Sequence, residues 1–159
     1  MVACGFSIDD AAWAIQWHVV AMYLPSFFVG HLINRFGVEK VVAAGLVLLL
    51  GAGVAGLTGV TFANFSIGLI LLGIGWNFGF TGGTAMVTTC YRPAEKNKVQ
   101  GINDFAVFAA VACASLASGG LLASLGWGAV NVALFPMVGL CVIALIYLAL
   151  ARPPHLDES

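Results

Sequence analysis

In the stretch GIGWNFGFTGGTAMVTTC, Asn77, Thr81, Thr84 and Thr88 recur at i, i+4, i+7 and i+11. That spacing is one face of a helix. Their chemistry is neutral recognition: amide and hydroxyl groups that donate to and accept from a bound molecule or water. The bland alternative is that they bond to neighbouring helices or to their own backbone. Gly75, Gly79 and Gly82 lie two residues away from this stripe. A small face of that kind lets another helix approach closely. Asn77, Thr81 and Thr84 are therefore candidate cavity-lining residues. The rest of the chain offers little for covalent chemistry. Asp9 and Asp10 are adjacent, so their side chains diverge, and Cys4, Cys90, Cys113 and Cys141 stand singly with no ligand spacing to a histidine. No catalytic residue, metal site or cofactor is expected, and the chain is not read as an enzyme.

The elements that must position these groups follow from composition. The 159 residues are 61% hydrophobic and 8% charged, with a mean hydropathy of +1.03. A soluble domain carries roughly 25% charged residues, because its surface faces water. Residues 11–34, 41–91 and 105–151 contain no Asp, Glu, Lys or Arg. Each stretch is long enough for one or two membrane crossings of about 20 residues. The fold class expected is therefore all-α, a polytopic bundle of membrane helices embedded in a lipid bilayer. A β-barrel would alternate in polarity, and VVAAGLVLLLGAGVAGL does not. A net charge of −1 with no basic face gives no reason to expect nucleic-acid binding.

Five crossings fit, at about 11–33, 41–60, 65–90, 101–122 and 128–151. Residues 1–10 form a stub before them and 152–159 a tail after them. Arg35 and Lys40 fall between the first two crossings, Arg92, Lys96 and Lys98 between the third and fourth, and Arg152 after the fifth. All six basic residues thus lie on one side. The excess of Lys and Arg marks the cytoplasmic side of a cell membrane. The N-terminus is then outside and the C-terminus inside. MVACGFSIDD lacks the basic start and long apolar run of a signal peptide. The start reads as the tail of a helix that has been cut off, giving six helices minus one.

One segment breaks the apolar run before residue 92. GHLINRFGVEK, at 30–40, resembles the cytoplasmic loop pattern G-x-L-x-D-R-x-G-x-x-K/R of the major facilitator superfamily, with Gly30, Leu32, Asn34, Arg35, Gly37 and Lys40 matching in order. Asn34 stands where an acidic residue is usual. The resemblance implies helices eight to twelve of a twelve-helix secondary transporter, hence the C-terminal half without its first helix. It implies alternating access for a small solute, with proton coupling left open. It also implies a missing N-terminal half or partner subunit, without which the chain should not transport. By residue chemistry, Gly30 and Gly37 permit close approach and a tight turn, and Arg35 can bind carbonyls at a helix C-terminus. A five-helix membrane subunit or interaction protein without transport activity is the alternative.

Further candidates are scattered. In the first crossing, Gln16, His18 and Tyr23 could face a solute, and histidine is the side chain suited to a proton step near neutral pH. Packing by hydrogen bonding is the commoner role of a lone membrane histidine. Pro25 and Pro136 can kink their helices. Asp104, near the start of the fourth crossing, is a helix-start charge, a partner of Arg35 or Lys98, or a coupling site. The second and fifth crossings carry almost no polar groups and read as lipid-facing scaffold. No charge is expected at mid-membrane depth, which favours neutral or amphipathic solutes.

Overall fold

The computed structural model describes residues 1–151; the tail 152–159, with Arg152, lies outside the described residues. The described residues are helical throughout, with no strand. The helices are α1 (Ile8–Tyr23), α2 (Ser26–Phe36), α3 (Val38–Leu57), α4 (Phe62–Thr88) and α5 (Lys96–Ala151). Short 3-10 turns precede α1 and α5. Local sequence explains where they start. The Ser7 hydroxyl accepts from the Asp10 amide at 3.0 Å while the Asp10 carboxylate accepts from the Ser7 amide at 3.1 Å. Thr61 and Asn64 form the same reciprocal cap on α4. Such caps satisfy amides that have no partner in the first turn.

The first crossing is not one straight helix. Pro25 carries no N–H and interrupts the ladder, and α1 and α2 meet at an angle of 42°. Pro136, by contrast, lies inside α5 without ending it; the one non-helical residue of α5 is Gly126, at φ 80° and ψ −176°. Gly126 divides α5 into limbs 96–125 and 127–151. Each exceeds the roughly 20 residues that a crossing needs. By length and hydropathy, α3, α4 and the stretch Pro93–Ala151 are each able to span a membrane, and the bent pair α1–α2 makes a fourth. The chain is an integral, multi-pass membrane protein.

Glycines set the packing. A Cβ added at Gly45 would lie 2.9 Å from Phe78 Cβ and 3.0 Å from the Gly75 carbonyl, and one at Gly75 would lie 2.9 Å from the Gly45 carbonyl. At Gly82 it would strike Val42. These contacts run α3 antiparallel to α4. On another side of α4, a Cβ at Gly73 would meet the His18 carbonyl at 2.8 Å and Ala21 Cβ at 2.9 Å, so α1 lies against α4 as closely. The second limb of α5 returns along α3, where Gly53 faces Leu134 and Phe135. The small face expected on α4 is thus present at Gly75 and Gly82. Gly79 shares in it through its backbone, since a Cβ at Gly45 would lie 3.1 Å from the Gly79 nitrogen, although a Cβ at Gly79 itself would meet nothing within 4 Å.

One expectation is corrected. Helix α3 is not a lipid-facing scaffold: it buries Val41, Gly45, Leu46, Ala52, Gly53 and Gly56 and packs on α2, α4 and the second limb of α5. An all-apolar helix has no polar stripe to reveal which side faces protein. Both limbs of α5 are mostly exposed, the second burying only Val138; the first touches α4 through Phe108 and Phe80, whose ring centroids are 6.3 Å apart.

Candidate functional site

The polar groups of α1 and α4 meet in the seam between the two helices. Asn77 is buried, at 5% exposure. Its Nδ2 donates to the Met22 carbonyl at 2.8 Å and to Ser26 Oγ at 2.6 Å. It therefore bonds on both sides of the α1–α2 break, while its Oδ1 is buried with no hydrogen-bond partner. One turn up, His18 Nδ1 lies 2.7 Å from the Leu69 carbonyl. A carbonyl only accepts, so Nδ1 is the donor in this bond. Asn77 and His18 are in this arrangement helix clasps, which was the bland reading of both.

The other candidates are not brought to them. Thr81 and Thr84 are half-buried further along α4, and Thr88 is exposed with its hydroxyl turned back onto the Ala85 carbonyl. Gln16 and Tyr23, seven residues apart, are both exposed on the side of α1 away from α4. The sequence-predicted cavity set is thus split between a bonded seam and an open helix face.

In the 30–40 segment the connection from α2 to α3 is a single residue. Gly37 sits at φ 89° and ψ 148° and ends one helix as it begins the next. That region of backbone space is essentially open only to glycine, which explains this position of the motif. Gly30 needs no such explanation: it lies inside α2, and a Cβ there would meet nothing within 4 Å. Leu32 is half-buried, and Asn34, Arg35 and Lys40 are exposed. The Arg35 guanidinium lies 5.4 Å from the Phe36 ring centroid, a cation–π contact in place of the expected carbonyl binding. The topology collects Arg35, Lys40, Arg92, Lys96 and Lys98 at one end of the bundle. Asp104 is exposed and accepts from Asn103 Nδ2 at 3.3 Å. Because α5 already begins at Lys96, Asp104 stands in the helix interior and is not a helix-start charge.

Sequence reasoning passed over a second group of residues at the opposite end. A cavity of about 640 Å³ opens between α1, α3, α4 and the second limb of α5, with Ile15, Gly53, Phe65, Leu72, Trp127 and Asn131 among its walls. Trp127 Nε1 donates to the Gly56 carbonyl at 2.8 Å, and Asn131 Nδ2 to the Trp127 carbonyl at 2.9 Å. Asn64 Nδ2 is engaged with Ala55 and Thr58. With these donors committed to the protein, the walls offer mainly apolar and aromatic contact. Phe65 and Trp127, with ring centroids 5.1 Å apart, continue a run of rings through Phe6, Phe62 and Trp13. Trp127 and Asn131 carried a faint signal, being the polar-tipped residues at the head of an otherwise apolar crossing.

The family model described as Major Facilitator Superfamily matches residues 1–159. Among curated proteins, the riboflavin transporter RfnT of Brucella anthropi is 55% identical over 146 residues, which is 92% of this chain and 37% of that protein. Two MFS-type transporters of Bacillus subtilis are also similar. YddS is 36% identical over 102 residues, 63% of this chain and 23% of its own length, and YdeG is 33% identical over 143 residues, 84% and 33%. No solved structure matches. The chain thus spans well under half the length of these relatives.

Proposed function

This chain belongs to the major facilitator superfamily, and from that premise we propose that it forms part of a secondary transporter that carries riboflavin, or a flat neutral solute like it, by alternating access. The observation that carries the reading is the 55% identity to a riboflavin transporter across 92% of the chain. Substrate selection rests on local contacts, and an identity of 55% supports a solute of the same class. The chemistry agrees. The helices carry amides, hydroxyls and rings but no charge between Val41 and Tyr91 or between Phe105 and Ala151, which suits an uncharged aromatic solute.

In this reading Gln16 and Tyr23 face the solute path, together with Thr81 and Thr84, while Asn77 and His18 fasten α1 to α4. In the same reading the end that bears Arg35, Lys40, Arg92, Lys96 and Lys98 is cytoplasmic, a side that the excess of Lys and Arg favours, and the membrane is the inner membrane of the cell. Transport requires the further length that the relative possesses. The 159 residues by themselves then support no uptake.

The test is a graft. The matching 146 residues of RfnT are replaced by this chain's, and the chimera is expressed in a bacterium unable to make riboflavin or import it. Growth on low external riboflavin supports the reading. A chimera that reaches the membrane in normal amount and gives no growth refutes it.

A further inference from the structure

We propose that the Leu24–Pro25 break is a hinge, and that Asn77 is the latch that sets its angle. Three observations meet at this point. The first is the bend itself, 42° between α1 and α2. The Pro25 nitrogen has no hydrogen, so the carbonyl four residues earlier loses its helical donor. The second is that one amide grips both arms. Asn77 Nδ2 holds the Met22 carbonyl in the last turn of α1 and the Ser26 hydroxyl at the first residue of α2.

The third is that this grip uses half of what the amide offers. Asn77 Oδ1 is buried without a partner. The Ser26 hydroxyl accepts here, but it also has a proton to give. A rotation of α2 exchanges the two roles, with Ser26 Oγ donating to Asn77 Oδ1. The pair therefore has two hydrogen-bonded arrangements, and a packed element with two arrangements behaves as a switch between them.

The two arms differ in how they are held. The α1 arm is clamped to α4 by the close approach at Gly73 and by His18 on Leu69. The α2 arm buries only Val29, leaves Phe27 89% exposed, is linked to α3 by the single residue Gly37, and packs on α3 and α4 more sparsely than α1 packs on α4. A fixed arm, a break, a latch and a loosely held arm are the parts of a hinge. Because α2 carries Arg35, its swing moves the basic end of the bundle. The hinge stands on this geometry and does not depend on riboflavin being the solute.

The test uses the full chain in lipid nanodiscs, with its four cysteines replaced by alanine. Spin labels at the exposed positions Gln16 and Asn34 report the distance across the break, and labels at the exposed positions Val47 and Ile67 report α3 against α4. The parent chain is expected to give a narrow distribution for both pairs. Asn77→Leu, which removes the latch, broadens or shifts the first pair and leaves the second unchanged. Ser26→Ala, a milder change at an exposed site, does the same to a smaller degree and decides the matter if Asn77→Leu does not fold. An unchanged first pair in the folded variants overturns the proposal. So does equal broadening of both pairs, which would mean general loosening. Solute uptake is not read in this experiment, so its failure and a failure of the transport reading are separate results.

Discussion

Trp127 Nε1 donates to the carbonyl of Gly56 across 2.8 Å, tying the two elements 71 residues apart. The bond fixes where the second limb of α5 returns to α3. It also lays Asn131 against Gly56 so closely that a Cβ at Gly56 would strike the Asn131 amide. Trp127→Phe keeps an aromatic ring, though a smaller one, and removes the donor, leaving the Gly56 carbonyl without this partner. The expected loss is about 1–3 kcal/mol of stability, read as a lower unfolding temperature in detergent.

The same contact predicts a coupling. Gly56→Ala alone is expected to destabilise by about 1–3 kcal/mol, the usual cost of overpacking. In the background of Asn131→Ala the clash is gone, and Gly56→Ala should cost much less. A double-mutant cycle measures the difference, and additive effects would contradict the packing described.

The two motif glycines should part ways. Gly37→Ala forces a side chain into a backbone conformation that disfavours it, at φ 89° and ψ 148°, and should cost about 1–3 kcal/mol. Gly30→Ala sits in open helix and should be neutral or stabilising by about 0.4–1 kcal/mol. Parallel unfolding curves of the two variants decide this, and equal losses would show that Gly30 has a contact of its own.

His18 offers a test of the clasp between α1 and α4. The nitrogen on the Leu69 carbonyl is Nδ1, 2.7 Å away. Asparagine places its Nδ2 near that position and glutamine reaches further. His18→Asn should retain most of the stability, and His18→Ala should lose about 0.5–1.5 kcal/mol or more with the bond. A larger loss for asparagine than for alanine would rule the clasp out.

Much of the architecture was legible before any coordinates. Runs free of charge announced membrane helices, and Pro25 announced a break. Gly75 and Gly82 announced close packing of α4. What escaped notice lay where sequence spacing carries no partner information. Periodicity placed Asn77 on a polar face but could not say that the face meets a kinked helix at Met22 and Ser26. The motif gave Gly30 and Gly37 equal standing, and only the backbone angle separates them. The apolar character of α3 hid its position between α2, α4 and the second limb of α5, because lipid and protein neighbours ask for the same side chains.

Wetness of the proposed solute face is checked by labelling. With the grafted chimera in cells, single cysteines at Gln16 and Tyr23 should react with a membrane-impermeant thiol reagent, and cysteines at Gly75 and Gly82, packed against α3, should not. Equal reactivity at all four would dissolve the distinction between solute face and packing face.

The central claim is that these residues form part of a riboflavin carrier, and the most direct measurement is the initial rate of radiolabelled riboflavin uptake into vesicles containing the RfnT graft. Vesicles without the graft serve as control. The rate expected for the graft is within about tenfold of the parent transporter's, the equivalent of about 1.4 kcal/mol lost at the new seams, and well above that of empty vesicles. A graft present in the membrane at the parent's level, with uptake no greater than that of empty vesicles, would contradict the claim.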